Sequence, residues 1–268
     1  PAEVVRPFRK PEEKVQSDPE AVQLLATMKE KWGWNKLKTL KCKISITGMN
    51  PASTSTPQGV AMRGDMFAEF PDKLLWTVAI EVGANNMRMY TVSDDKFFQC
   101  GSILPDGTTS PLDVREADPR DQGFTWFNGD RYNPELFRFG KPVRVRIEPN
   151  DPAFQTDDGA APTNLDYVML PMERNGREEY FVDPVSMEVR AIKTYLRDGK
   201  VAVSSRVRFG EISPGIWYPV RMDMTDAVAA EASGTAQTQI VNMRMEVSDF
   251  EVNSPIDPAV FSFAGGVK

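Results

Sequence analysis

The chain has 268 residues with a formal net charge of −6, and 41% of its residues are hydrophobic. This length can build one large all-β domain or two small ones. The acidic balance argues against a nucleic-acid partner, because neutralising phosphates requires clustered Lys and Arg. No apolar run approaches the roughly 18 residues that span a bilayer, and no segment has the layout of a signal peptide. The chain begins at Pro1, so we expect a mature or truncated form of a longer protein.

Histidine is absent from the sequence, which removes the usual general base near neutral pH and the commonest metal ligand. We therefore expect no enzyme of the Ser-His-Asp or Cys-His type, no metal and no cofactor. Adjacent carboxylates occur at 157–158 and 178–179, but neighbours on a strand point to opposite faces, so we expect no paired-carboxylate enzyme either. Cys42 and Cys100 are too few for a zinc site, and they either form one disulfide or are two buried small apolar residues.

A linker and one helix come first in chain order. Residues 1–17 are rich in Pro, Lys and Glu without an apolar period, which predicts a solvated linker or tether. A helix follows, with Ser17 or Asp18 as its N-cap, Pro19 in its first turn and Gly33 at its end. Its apolar residues recur at helical spacing, so we expect this stripe to pack against a sheet.

From Leu37 the apolar period changes from 3.6 to 2, which predicts strands. A small-residue loop is predicted at Gly48 to Gly59, and a turn at Pro71 and Asp72 joins the next two strands. No crossover helix separates the strands, so the sheet must be antiparallel.

The second half of the chain contains an irregular segment and then three hairpins. Residues from about 101 to 165 are weakly patterned, with a short helix predicted at Pro134 to Phe139 and a strand at Val143 to Ile147. We interpret this segment as an insertion, either a lid or a surface excursion. The hairpins are predicted at 175–176, at 198–199 and across 227–236.

Methionine recurs among the residues that alternate onto one face of the predicted strands. One interpretation is a solid core filled by its own side chains. The other is a cavity, because methionine adapts well to variable apolar ligands. Under the second interpretation the predicted ligand-binding lining is Leu40, Ile44, Ile46, Met62, Met66, Ala68, Phe70, Leu74, Trp76, Val78, Phe98, Val203, Tyr218, Met222, Met243 and Met245.

Three motifs in register with this strand pattern carry a resemblance to a known family. The motifs are Gly64-Asp65 with Pro71 seven residues after the glycine and Trp76 five further on, the run from Val92 to Phe98, and Asn253 with Asp257 and Phe261-Ser262-Phe263. Together they resemble the periplasmic lipoprotein-carrier family, LolA and LolB. The resemblance covers roughly 19–101 and 167–263 and leaves out the insertion.

The resemblance implies a mainly β fold: an open, curved antiparallel sheet, an incomplete barrel of about eleven strands. It would be covered by the N-terminal helix and the inserted segment. A single domain would span 18–268, with the insertion at about 101–165.

The implied function is non-enzymatic binding and transport of lipids or lipoprotein acyl chains in the periplasm. The protein would be free or tethered to the outer membrane through an N-terminal anchor outside this sequence. The partner would be a lipid or acylated lipoprotein, with an envelope protein as a further partner and only transient contact with the membrane. The alternative is an envelope sensor or protein-interaction module on the same fold, similar to RseB.

One position departs from the family. The typical carrier has an arginine immediately before the proline of the first motif, where it helps to hold a lid shut, and this chain has Phe70 there. An aromatic side chain cannot donate to lid carbonyls, so we do not expect the same cycle of opening and closing.

Overall fold

A computed structural model of the chain describes residues 16–50, 53–82, 85–94, 96–104, 106–116, 138–156, 158–173, 177–196, 198–229 and 238–262. Within these ranges the chain forms one α-helix, α1 (Pro19–Lys31), and fourteen strands. The strands are β1 Thr39–Asn50, β2 Ser53–Glu69, β3 Lys73–Val82, β4 Asn85–Ser93, β5 Phe97–Ile103, β6 Thr109–Glu116, β7 Arg138–Phe139, β8 Val143–Arg146, β9 Asp166–Glu173, β10 Arg177–Val182, β11 Val189–Tyr195, β12 Val201–Ser213, β13 Ile216–Ala229 and β14 Thr238–Val252.

All fourteen strands belong to one antiparallel sheet that curves but stays open, which confirms the predicted fold class. The order is β6-β5-β4-β3-β2-β1-β14-β13-β12-β11-β10-β9-β7, and β8 also pairs with β9. The first and last described strands, β1 and β14, therefore meet in the middle of the sheet. The predicted count of about eleven was too low because the insertion adds β6, β7 and β8 at the two edges.

The helix begins and ends as the sequence predicted. The Asp18 carboxylate accepts a hydrogen bond from the Glu20 backbone N–H at 2.9 Å, and Pro19 occupies the first turn. Gly33 then adopts a left-handed backbone with φ 71°, where a Cβ would lie 1.9 Å from the carbonyl oxygen of Gly215. The chain passes through a short 3₁₀ turn, Trp34–Lys36, into β1.

The two faces of the sheet have different roles. We call the face that packs against α1 the inner face and the opposite one the outer face. The buried residues of α1 and of the inner face form one hydrophobic core cluster that includes Met28 of the helix, Leu40 of β1, Leu74 of β3 and Leu170 of β9. Strands far apart in the sheet thus meet around the helix, which accounts for the curvature.

The family-like motifs have local physical roles. Gly64 lies where β2 approaches β3 so closely that a Cβ would be 1.7 Å from the Thr77 carbonyl oxygen. The Asp94 carboxylate accepts hydrogen bonds from the backbone N–H groups of Lys96 and Phe97, at 2.7 and 2.6 Å, and so forms the turn into β5. These residues shape the backbone of the sheet.

The C-terminal motif ties the last strand to the first. Asn253, with φ 56°, accepts hydrogen bonds on its side-chain oxygen from the backbone N–H groups of Lys38 and Thr39 at 2.7 and 3.3 Å. Asp257 then caps a 3₁₀ turn, Pro258–Phe261, by accepting from the Ala259 N–H at 2.9 Å. The final residue of this motif, Phe263, lies outside the described residues.

Two of the predicted elements were wrong. The loop predicted at Gly48 to Gly59 is mostly strand, because β1 continues to Asn50 and β2 begins at Ser53. Two register shifts near Met49 accommodate these turn-forming residues inside a long hairpin. The end of the helix predicted at Pro134 to Phe139 is β7, since Arg138 and Phe139 pair with β9, and 134–137 lie outside the described residues.

The predicted hairpins are confirmed where the structure describes them. The turn at 198–199 joins β11 to β12, and its Gly199 has φ 84°. The strands that flank 175–176 and those that flank the last loop pair as expected. The turn 175–176 itself lies outside the described residues, and β13 extends to Ala229, beyond the predicted start of its loop at 227.

Residues 143–165 of the insertion pack on the outer face. Phe154 contacts Tyr167 and Phe181 edge to face, with ring centroids 5.3 and 5.1 Å away. Lys193 stabilises this aromatic cluster, because its ammonium is 2.6 Å from Asp151 and 5.5 Å from the ring centroid of Phe154. This part of the insertion therefore does not cover the inner face.

Three arginines surround one carboxylate elsewhere on the outer face. Arg206, Arg221 and Arg244 approach Asp223 at 2.8, 2.8 and 2.7 Å. Burial alone raises the pKa of Asp223, but the hydrogen bonds from the three guanidinium groups outweigh it and lower this pKa to about 2. The ionised carboxylate thus joins strands β12, β13 and β14.

We predict that Asp223→Asn lowers the free energy of unfolding by about 2 kcal/mol at pH 7, taking about 1.4 kcal/mol per unit of pKa shift. Because the folded-state pKa lies below its ordinary value of 3.8, this contribution is present above pH 4 and disappears as the pH falls toward 2. Urea unfolding at pH 7 and pH 3 measures the difference. The control is Asp249→Asn, which removes an exposed pair with Lys43 and should cost less than about 0.5 kcal/mol. Equal losses in the two variants would contradict the prediction.

Candidate ligand-binding face

The inner face is apolar across most of its width. Strand register places one transverse row of side chains across β3, β2, β1, β14, β13 and β12 in order. The row consists of Ile80, Met62, Ile46, Met245, Met222 and Val207. Directly opposed residues share a face, so the row is continuous from strand to strand.

An aromatic group closes one end of this face. We call Trp32, Trp34, Phe209 and Tyr218 the aromatic plug. Trp32 lies 4.8 Å from Trp34 and 4.9 Å from Phe209, and Trp34 lies 5.8 Å from Tyr218, between ring centroids. Burial raises the pKa of the Tyr218 hydroxyl well above its ordinary value.

Hydrogen bonds fix the plug to the start of β13 and to the segment before β11. The Trp34 indole N–H donates to the carbonyl of Trp217 at 2.7 Å, and the Trp217 N–H donates to the carbonyl of Trp32 at 2.8 Å. The Trp32 indole N–H donates to the carbonyl of Met187 at 3.1 Å. Both indole donors are therefore satisfied where they are buried.

The structure places the sixteen predicted lining residues in two groups. Ten are buried: Leu40, Ile44, Met66, Ala68, Leu74, Val78, Phe98, Tyr218, Met222 and Met245. Six are partly buried: Ile46, Met62, Phe70, Trp76, Val203 and Met243. All but Met62, Val78, Phe98, Val203 and Met243 belong to the core cluster or pack against it.

Burial decreases along the strands away from the plug. In β1, Leu40 is fully buried, Ile44 is 6% exposed and Ile46 is only partly buried. The same trend runs from Tyr218 to Met224 in β13. The inner face therefore has a closed end at the aromatic plug and an open end at the opposite side.

Apolar side chains are also exposed beside the open end. Met87 near the start of β4 is 49% exposed, Leu104 after β5 is 43%, and Leu196 after β11 is 49%. These residues lie in or next to strands on both sides of the central β1–β14 pair. The open end thus has an apolar rim.

Several inner-face residues were missed by the sequence analysis. Trp34 and Phe209 belong to the plug, and Tyr180, Leu170 and Ile192 line the inner face of β9 to β11. In β11 an extra residue between Val189 and Ala191 interrupts the alternation, which hides the face of Ile192, whereas β9 and β10 alternate regularly. The two tryptophans that flank Gly33 were the one available signal for the plug.

Position 70, where the typical carrier has an arginine, is a structural residue here. The Phe70 N–H donates to the carbonyl of Lys38 at 2.8 Å, and its ring packs against the core cluster. It precedes a cis peptide bond to Pro71 in the turn to β3.

Both cysteines are free thiols. Cys42 is buried in the core cluster, and burial, with a smaller effect of the Asp65 charge, raises its pKa to about 12. Burial also raises the pKa of Cys100, which is only partly buried. Among the residues that the structure describes, no three His, Cys, Asp or Glu side chains are grouped so that they could hold a metal ion.

In the described part of the chain, no helix is both long enough and apolar enough to span a membrane.

The wide antiparallel sheet that curls around one helix and remains open is similar to the folds of solved LolA-like structures, and the predicted LolA-like fold is confirmed. Three solved structures share it over nearly the whole chain. A putative outer membrane lipoprotein-sorting protein domain from Vibrio parahaemolyticus superposes with a TM-score of 0.54 at 13% identity, covering 90% of this chain and 94% of that one. A LolA superfamily protein from Nitrosomonas europaea gives 0.52 at 14% identity, covering 92% and 99%.

The third structure is a DUF1329 family protein from Desulfovibrio piger, with a TM-score of 0.57 at 10% identity, covering 92% of this chain and 98% of that one. At these identities the similarity establishes the fold alone. No family model matches the chain, and no curated protein matches its sequence.

We predict that Trp34→Phe lowers the free energy of unfolding by about 2 kcal/mol, because it removes the hydrogen bond to the Trp217 carbonyl and part of the packed volume of a buried side chain. Thermal and urea unfolding measure the loss. Trp217→Phe is the matched control, since Trp217 is 36% exposed and its backbone groups stay in place. A loss in the control as large as in Trp34→Phe would contradict the assignment of Trp34 as the anchor of the plug.

Proposed function

We propose that the chain binds the hydrocarbon part of a lipid or of an acylated lipoprotein on the inner face of its open sheet. The observation that carries the proposal is the gradient of burial on this face. Apolar side chains of the core cluster continue from the closed end to the partly buried Ile46, and Met62 and Met243 are also partly buried near the open end. An acyl chain lying along the strands would complete the cover that α1 begins.

The dimensions of the elements support this proposal. A helix of 13 residues is about 20 Å long and about 10 Å wide. Thirteen strands side by side at about 4.8 Å make a sheet that is about 60 Å across before it curls. One helix covers only part of such a face, and the remainder is available to a ligand.

The energetics favour reversible binding. Burying about fifteen methylenes at about 0.8 kcal/mol each stabilises the complex by roughly 12 kcal/mol before association and ordering costs. A face that is half-buried at its open end covers a chain incompletely, so the net affinity falls well below that limit. Incomplete cover suits a protein that must release its ligand.

The chemistry of the chain supports binding without catalysis. The sequence contains no histidine, and both thiols have raised pKa values, so they are mainly protonated at neutral pH. The fold shared with lipoprotein-sorting proteins supports the bacterial periplasm as the location. The protein would be free there or tethered to the outer membrane by an anchor outside this sequence, with an envelope protein as donor or acceptor.

The first test places one charge on the inner face. Met62→Glu should weaken binding of a fluorescent fatty-acid probe at least about tenfold, because a carboxylate beside a buried acyl chain costs several kcal/mol. Arg63→Glu is the matched control, because Arg63 is the next residue in β2, is exposed and points to the outer face. Probe titration measures both, with circular dichroism to verify that each variant is folded. Equal effects of the two substitutions would contradict the assigned face.

The second test examines the ligand itself. Native mass spectrometry of the full chain purified from a membrane-containing host should show an additional mass that organic extraction removes and identifies as a lipid. A bare chain that also fails to bind the fatty-acid probe would reject the proposal in favour of an interaction module on the same fold.

A further inference from the structure

Four methionines form a compact patch on the inner face. Met222 and Met224 lie in β13, and Met243 and Met245 lie in β14. The strand register opposes Met222 to Met245 and Met224 to Met243. Two Met-x-Met sequences therefore face each other across one pair of strands, with all four side chains on the same side of the sheet.

The spacing of this methionine quartet suits a single bound ion. Directly opposed residues have Cβ atoms about 5 Å apart, and diagonal neighbours are about 7–8 Å apart, so the centre of the quartet is about 4 Å from each Cβ. A methionine side chain is unbranched and flexible, with its sulfur two bonds beyond Cβ. Three or four thioether sulfurs can therefore converge on one point above the patch.

The four methionines of the quartet are buried to different degrees. Met245 and Met222 are 2% and 8% exposed and are held by the core cluster. Met224 and Met243 are only partly buried, on the side of the open end. The inner pair is thus fixed, whereas the outer pair has room to adjust around an incoming ion.

The donor set selects the kind of ion. Thioether sulfur is a soft, uncharged donor that suits Cu(I), whereas Zn²⁺ and Cu²⁺ use imidazole and Ca²⁺ and Mg²⁺ use carboxylates. The chain has no histidine. The charged residues between the methionines, Asp223 and Arg244, pair with each other on the outer face. Within 222–224 and 243–245, Asp223 is the one carboxylate, and it lies on the outer face.

We infer that Met222, Met224, Met243 and Met245 bind one Cu(I) ion through their thioether sulfurs. The site shares the inner face with the proposed acyl-chain lining but does not depend on it. It extends the chemistry of this face from apolar contact to coordination of a soft metal ion.

A third Met-x-Met sequence provides an internal control. Met87 and Met89 in β4 are flanked by the same residues as the β14 pair, Asn before and Arg between. Their opposed neighbours in β3 are Ile80 and Val78, so only two sulfurs are available there. The structure therefore distinguishes the quartet from the sequence motif itself.

The test is a Cu(I) titration under anaerobic, reducing conditions against a chromophoric Cu(I) chelator. It uses the full chain with Cys42→Ala and Cys100→Ser, because free thiolates also bind Cu(I). We expect one equivalent to bind. The double variant Met224→Leu/Met243→Leu conserves volume at partly buried positions. It should weaken Cu(I) binding at least about 10–100-fold, because losing even a residue that only supports a metal ligand typically has an effect of this size. Met87→Leu/Met89→Leu should change it less than about threefold.

A second measurement identifies the ligands directly. With ¹³C-methyl methionine, Ag(I) as a redox-stable substitute for Cu(I) should shift the four quartet methyl signals and leave those of Met87 and Met89 in place. The proposal is overturned if no Cu(I) binds, if the quartet and control pairs weaken binding equally, or if other methionine signals shift instead. Because the titration contains no lipid, its result is independent of the fatty-acid probe.

Discussion

The structure depends on one mismatch of size, between a sheet of thirteen side-by-side strands and the single helix that packs on its inner face. Apolar side chains must leave water, and α1 is too small to cover them all, so the sheet curls around the helix until distant strands share one core. The aromatic plug marks where this covering succeeds. The partly buried methionines and Trp76 mark where it stops. The closed and open ends of the inner face both follow from this mismatch, and the proposed ligand site is the part of the face that α1 does not cover.

The outer face is stabilised differently, by interactions that join strands rather than by a continuous apolar layer. Residues 143–165 bury a small aromatic cluster against β9 to β11, and Lys193 fastens it through Asp151 and two aromatic rings. Farther along, Asp223 gathers three arginines from three strands. These polar interactions hold the curved sheet from outside. The inner face can then remain apolar and partly uncovered without the sheet losing its shape.

The sequence predicted the fold well wherever alternation was regular. Strands β1 to β5 and β12 to β14 have clear period-2 rows, and the turn predicted at Pro71 and Asp72 joins β2 to β3. The prediction failed where backbone irregularity hides the period. The β1–β2 hairpin keeps turn-forming residues such as Pro57 inside strands by shifting register, and an extra residue between Val189 and Ala191 interrupts the alternation of β11. Trp34 is held in the plug by a hydrogen bond to the carbonyl of Trp217, 183 positions later, and no local sequence pattern indicates such a contact. Side-chain alternation identified candidate lining residues, but it does not show how far along each strand the rest of the core buries them.

The pairing of β1 with β14 has a consequence for how the chain reaches this state. The Thr39 hydroxyl donates to a carbonyl 215 positions later, so the middle of the sheet consists of segments that are made far apart in time. Closing so long a loop is slow, and the half of the sheet made of β1 to β6 cannot join the other half until β14 is available. The central pairing of the sheet therefore forms only after all the intervening strands have been made.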